Sequence, residues 1–116
     1  MRGPIVLAFL VITFGGAPVS AHAFLQHADP GAGATLRAPP ARVALSFSEK
    51  LEPVFSGVVV TDAFGHNVEG GTVMIGGNAM VAPLLPLPPG SYRVTWHAVS
   101  VDTHRTEGAY SFRVKP

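Results

Sequence analysis

The stretch YRVTWHAV, Tyr92–Val99, decides the fold. Tyr92, Val94, Trp96 and Ala98 occupy alternate positions, and Arg93, Thr95, His97 and Val99 fall between them. Successive side chains of an extended chain point to opposite sides, so a period of two marks a strand with one buried face. AYSFRV, Ala109–Val114, repeats the pattern with Tyr110, Phe112 and Val114 set against Ser111 and Arg113. Turn-forming residues join the two, which predicts an antiparallel pair.

Upstream the chain reads the same way. Arg42 to Ser48 (RVALSFS) alternates, with Val43, Leu45 and Phe47 on one face. Gly57 to Thr61 (GVVVT) is a continuous β-branched run, expected to be buried on both faces. DAFGHN (62–67) and GGN (76–78) supply turns around a short strand, TVMI (72–75). Ala79 to Leu85 forms another strand, with Pro83 at an edge or strand end. Leu25 to Pro40 contributes a first strand and an irregular crossing. No long helical period follows the first 22 residues. The expected class is all-β: about seven short strands in an antiparallel β-sandwich or small Greek-key barrel.

The start of the chain is not fold material. Arg2, the apolar run Pro4 to Phe14 (PIVLAFLVITF) and the small residues GGAPVSA form a secretory signal peptide. The run is short of the roughly 20 apolar residues that span a bilayer. An uncleaved anchor is the alternative. Val19-Ser20-Ala21 permits cleavage before His22, and Ala21-His22-Ala23 permits it before Phe24. The first cut leaves a histidine as the mature N-terminus and one domain, residues 22–116. The second removes that histidine.

Composition narrows the chemistry. The 116 residues contain no cysteine, so disulfides, thiolate metal sites and cysteine nucleophiles are excluded. The bacterial periplasm is the expected compartment. A formal charge of +1 provides no electrostatic footprint for nucleic acid. Gly-x-Ser-x-Gly, a phosphate-cradling glycine loop and His-Glu-x-x-His are all missing.

The informative stretch is SVDTHRTEG, Ser100–Gly108, between the two strands. Asp102 and His104 are two apart, a spacing that lets both side chains reach one ion in extended chain. Alone, the pair is a weak signal, and the favoured reading is that Asp102 bonds turn amides while His104 is solvated. Thr103 sets the spacing, and Gly108 is expected to let the chain re-enter the sheet. His22 changes the weight of the pair. As a mature N-terminus it offers an α-amino nitrogen, with an ordinary pKa of about 7.7–8.0, together with an imidazole. A nitrogen-dominated set with one carboxylate oxygen favours Cu(II) over Ni(II) or Zn(II). Of the other histidines, His27 and His66 are expected at the surface and His97 partly exposed or hydrogen-bonded. Met74 and Met80 stand apart and form no methionine cluster.

HAFLQHADPGAGATL, VALSFSEKLEPVFSGVVV and GSYRVTWHAVSVDTHRTEGAYSFRV together resemble the CopC-type periplasmic copper-resistance proteins over essentially the whole mature chain. The resemblance implies a cupredoxin-like Greek-key sandwich. It also implies a Cu(II) site built from His22, Asp102 and His104, hence cleavage before His22, with Glu49 close by. Some members bind Cu(I) through a methionine-rich loop. The matching stretch here, VTDAFGHNVEG, has no methionine, which leaves His66 without thioether partners. The expected role is that of a monomeric, non-enzymatic protein that sequesters or carries Cu(II), and the resemblance implies delivery to an inner-membrane importer or an oxidase. The alternatives are a monooxygenase-like copper redox enzyme with the same histidine chelate, or a structural β-sandwich without metal.

Overall fold

A computed structural model of the protein describes residues 23–116. The proposed leader and His22 lie outside the described residues. Eight strands follow in order: β1 (Leu25–Asp29), β2 (Thr35–Leu36), β3 (Arg42–Phe47), β4 (Gly57–Asp62), β5 (Met74–Gly76), β6 (Ala79–Pro83), β7 (Gly90–Val99) and β8 (Arg105–Val114). The count exceeds the sequence expectation by the two-residue β2, too short to carry a periodicity. A 3-10 turn, Pro53–Phe55, precedes β4.

Two sheets form, in the orders β1-β3-β6-β5 and β2-β8-β7-β4. Pairing is antiparallel except for β2 beside β8. The hairpins β5–β6 and β7–β8 stay within a sheet, and the other connections cross between sheets, as a Greek-key sandwich requires. The alternating residues meet in the middle. Val43, Leu45 and Phe47 face Val94, Trp96, Ala98, Phe112 and Val114 in one buried cluster. Phe47 meets Trp96 edge to face at 5.1 Å between ring centroids, and Tyr92 stacks on Phe112 at 5.5 Å. Removing these faces from water supplies most of the stability that a chain without disulfides needs.

One expectation fails. The GVVVT run is not buried on both faces: β4 is the last strand of its sheet, with Val58 and Val60 buried and Val59 43% exposed. Its free edge is covered locally. The Val60 N–H donates to the Glu69 carboxylate, and the Val60 carbonyl accepts the Val68 N–H at 2.9 Å. A charged side chain and a return segment thus block strand addition where β-branched sequence would invite it.

Tyr110 ties β8 to the first crossing loop by donating its hydroxyl to the Pro30 carbonyl at 2.7 Å. Burial, with help from the Asp29 charge, pushes its phenol up to about 12. An unfolded tyrosine titrates near 10, so this group's contribution to stability is complete below about pH 10 and is lost as pH rises through about 12. Ultraviolet difference titration against Tyr110→Phe should place the phenolate midpoint near 12. A midpoint near 10 would mean that the ring stands in solvent.

Candidate metal centre

The β7–β8 connection is shorter than SVDTHRTEG suggests. β8 begins at Arg105, so the turn comprises only residues 100–104. The Ser100 N–H donates to the His104 carbonyl at 2.9 Å, and the Thr103 N–H donates to the Ser100 carbonyl at 2.7 Å. Between Asp102 and His104, Thr103 adopts φ = 76°, a left-handed conformation unfavourable for a β-branched residue. Alternation in an extended strand therefore does not bring the two side chains together; a tight turn does.

The pair is formed. Asp102 Oδ2 lies 3.2 Å from His104 Nδ1, with both side chains partly exposed. Two donors each about 2.0–2.2 Å from one ion, in neighbouring coordination positions, sit about 3 Å apart. The contact seen is a hydrogen bond or ion pair between the two side chains, and its length is also close to the separation of two ligands on one ion. The other carboxylate oxygen is engaged from below: the hydroxyl of Ser100, a residue only 1% exposed, donates to Asp102 Oδ1. That hydrogen bond, followed by those from His104, holds the Asp102 carboxyl below its ordinary range against the opposing effect of burial. These contacts favour the anionic carboxylate.

A neighbouring segment braces the turn. The Val101 N–H donates to the Lys50 carbonyl at 3.1 Å and the Glu52 N–H to the Val99 carbonyl at 2.8 Å. Leu51 bridges Ser100. The buried Ser56 hydroxyl accepts the Val99 N–H at 3.0 Å.

The beginning of the described chain arrives at the same place. Ala23 is completely buried, and its carbonyl accepts a hydrogen bond from Thr106 Oγ1 at 2.6 Å across 83 residues. Phe24 exchanges hydrogen bonds with Ser48: its N–H reaches Ser48 Oγ and its carbonyl takes the Ser48 N–H, each at 2.8 Å. The residue following His22 is thus pinned two positions beyond His104. Glu49 is flanked by Ser48, bonded to Phe24, and Lys50, bonded to Val101, which puts its backbone between the chain start and the turn.

The remaining histidines lie elsewhere. His27 is exposed on β1. His97 is half-buried on the outer face of its sheet, against Gly57, where an added Cβ would come within 2.9 Å of the imidazole Cε1. His66, with a 77% exposed side chain, pairs through Nδ1 with Asp62 Oδ2 at 3.4 Å. Asp62 also takes the His66 and Phe64 N–H groups at 2.9 Å each. Backbone hydrogen bonding from His66 is the main reason its carboxyl is lowered. Asp62 is in register with Tyr92, at the opposite end of the sheet from Ser100. A concavity of about 340 Å³ lined by Thr61, Asp62, Ser91 and Arg93 also lies there, away from Asp102 and His104. Among the described residues, no three potential ligands gather at one point. At this turn Asp102 and His104 stand together as a pair of potential ligands.

Gly108 does not serve the turn. It lies within β8, paired with Trp96, and a Cβ there would stand 2.7 Å from the indole Cζ2. Sequence reasoning also missed Ser100 and Thr106, whose hydroxyls matter only through contacts that the β7–β8 register creates.

Comparison with known proteins bears on the family and the fold. The CopC domain family matches residues 25–115. Protein YobA of Escherichia coli (strain K12) is 40% identical over 115 residues, covering 94% of this chain and 91% of that protein. Copper resistance protein C of Pseudomonas syringae pv. tomato is 34% identical over 123 residues, covering 98% and 97%. The crystal structure of PcoC, a methionine-rich copper resistance protein from Escherichia coli, superposes with a TM-score of 0.72 at 40% identity, covering 82% of this chain and all of that one. CopC from Methylosinus trichosporium OB3b gives the same TM-score at 33% identity, covering 82% and 95%. With the fold, the family match and these relatives in agreement, the chain belongs to the CopC family of copper-resistance proteins.

Proposed function

We propose that the protein is a periplasmic Cu(II) carrier whose ligands are the His22 α-amino nitrogen and imidazole, the His104 imidazole and one oxygen of Asp102. The observation that carries this reading is the Thr106–Ala23 hydrogen bond, which fixes the residue after His22 beside the Asp102–His104 pair. The burial of Ala23 supports the same cut. Cleavage before His22 keeps a core residue that cleavage before Phe24 would discard.

Three nitrogens and one carboxylate oxygen suit tetragonal Cu(II). The thioethers that would favour Cu(I) are absent from residues 60–70, where His66 is already engaged by Asp62. The chemistry is capture and release rather than turnover, since a site filled by four protein donors leaves little room for a reacting substrate. The carrier acts as a monomer in copper resistance or import, passing its ion to an inner-membrane importer or a copper-receiving oxidase.

The test is a competitive titration of the exported, processed protein with Cu(II), with its N-terminal residue fixed by mass spectrometry. One tight site per chain starting at His22 is the expected result. A mature chain starting at Phe24, or the lack of tight binding, would overturn the proposal.

A further inference from the structure

The Ser100 hydroxyl points at the ligand pair from the protein interior. Ser100 is buried, with Leu51 bridged to it, and its main chain closes the turn at both ends. Its side chain donates to Asp102 Oδ1, with the His104 carbonyl 3.4 Å away. The His104 N–H approaches the same Oδ1 at 3.5 Å. Both contacts fall on one carboxylate oxygen, and the other, Oδ2, is the one that faces His104 Nδ1.

Building on the proposed copper site, we infer that Ser100 is a positioning and specificity-determining residue: it occupies Asp102 Oδ1 and so presents Oδ2 as a single-oxygen ligand. A freely rotating carboxylate can clamp an ion with both oxygens, which suits large, oxygen-loving cations such as Ca²⁺. A hydrogen bond on one oxygen disfavours that two-oxygen clamp and favours ligation through the other, which fills one corner of a compact nitrogen-rich set. Ser100 never touches the ion. It acts through Asp102, as hydrogen-bonded partners behind metal ligands do in general.

The experiment compares Cu(II) affinity and electron paramagnetic resonance of the processed wild type, Ser100→Ala, Asp102→Ala and the double variant. Ser56→Ala serves as a control, because Ser56 is the other buried serine at this end but bonds only Val99. Ser100→Ala should weaken Cu(II) binding about 10- to 100-fold and change the copper hyperfine splitting. It should cost nothing further once Asp102 is already alanine. Ser56→Ala should lower the melting temperature and leave the spectrum unchanged.

Unchanged affinity and spectrum in Ser100→Ala would overturn the inference, even with a lower melting temperature. So would an equal loss with and without Asp102, which would mark a general loosening of the turn. Should Ser100→Ala not fold, the wild type carries the test. A Ser100 hydroxyl proton resolved by NMR and coupled to the Asp102 carboxyl carbon supports the assignment, and one in fast exchange with water overturns it. A wild type that binds no copper removes the parent reading too, and is recognised before any variant is made.

Discussion

A mature chain made one residue shorter, beginning at Ala23, should lose Cu(II) affinity by more than about 100-fold, beyond what changing a supporting residue behind a metal ligand usually costs. The truncation takes away the histidine amine and imidazole together. It leaves Ala23 in the core and the Thr106 hydrogen bond in place, so the melting temperature of the metal-free protein should hardly move. That separation makes the comparison clean. Acetylating the His22 amine and substituting His104→Ala should each act in the same direction, because each removes one of the proposed nitrogen donors. A chain beginning at Phe24 should lose both properties, since a fully buried residue goes with the ligand. Competition titration and thermal unfolding of the four proteins distinguish these outcomes. Wild-type affinity in the chain starting at Ala23 would remove the N-terminal chelate from the site.

The second large effect is on stability. Gly108→Val places a branched side chain where Cβ alone meets the Trp96 indole at 2.7 Å. The indole cannot step aside easily, because Phe47 packs against it edge to face. Overpacking of this kind costs about 1–3 kcal/mol, which for a domain of this size lowers the melting temperature by roughly 5–20 °C. Trp96→Leu frees the space at its own cost. The two substitutions should therefore be non-additive, with Gly108→Val much milder in the Trp96→Leu background. Strict additivity in thermal unfolding would show that Gly108 matters for another reason.

These two cases also mark what sequence could and could not reveal. Alternation in Tyr92–Val99 and Ala109–Val114 placed every buried strand residue of β7 and β8 correctly, because a one-sided core writes a period of two directly into the chain. The Val58–Val60 run misled, since β-branched density reports strand preference and not a strand's position within its sheet. Here an edge strand carries it, guarded by Glu69. Asp102 and His104 were legible as a pair, although the left-handed Thr103 between them was not. Gly108 looked like turn chemistry. Its purpose lies across the hairpin, in a register that no local motif encodes.

The Thr106–Ala23 contact has a further physical meaning. It closes nearly the whole length of the domain into a loop, and an ion held jointly by His22 and His104 would tighten that closure in a chain that has no disulfide to do so. Copper would then act as a removable cross-link, stabilising only the native state. By mass action, free copper at 100 times its dissociation constant adds about 2.7 kcal/mol to the folding equilibrium. The linkage would run both ways: with the proposed site, unfolding would separate the two ends and discard the ion, so retention of the metal would depend on the integrity of the entire sandwich.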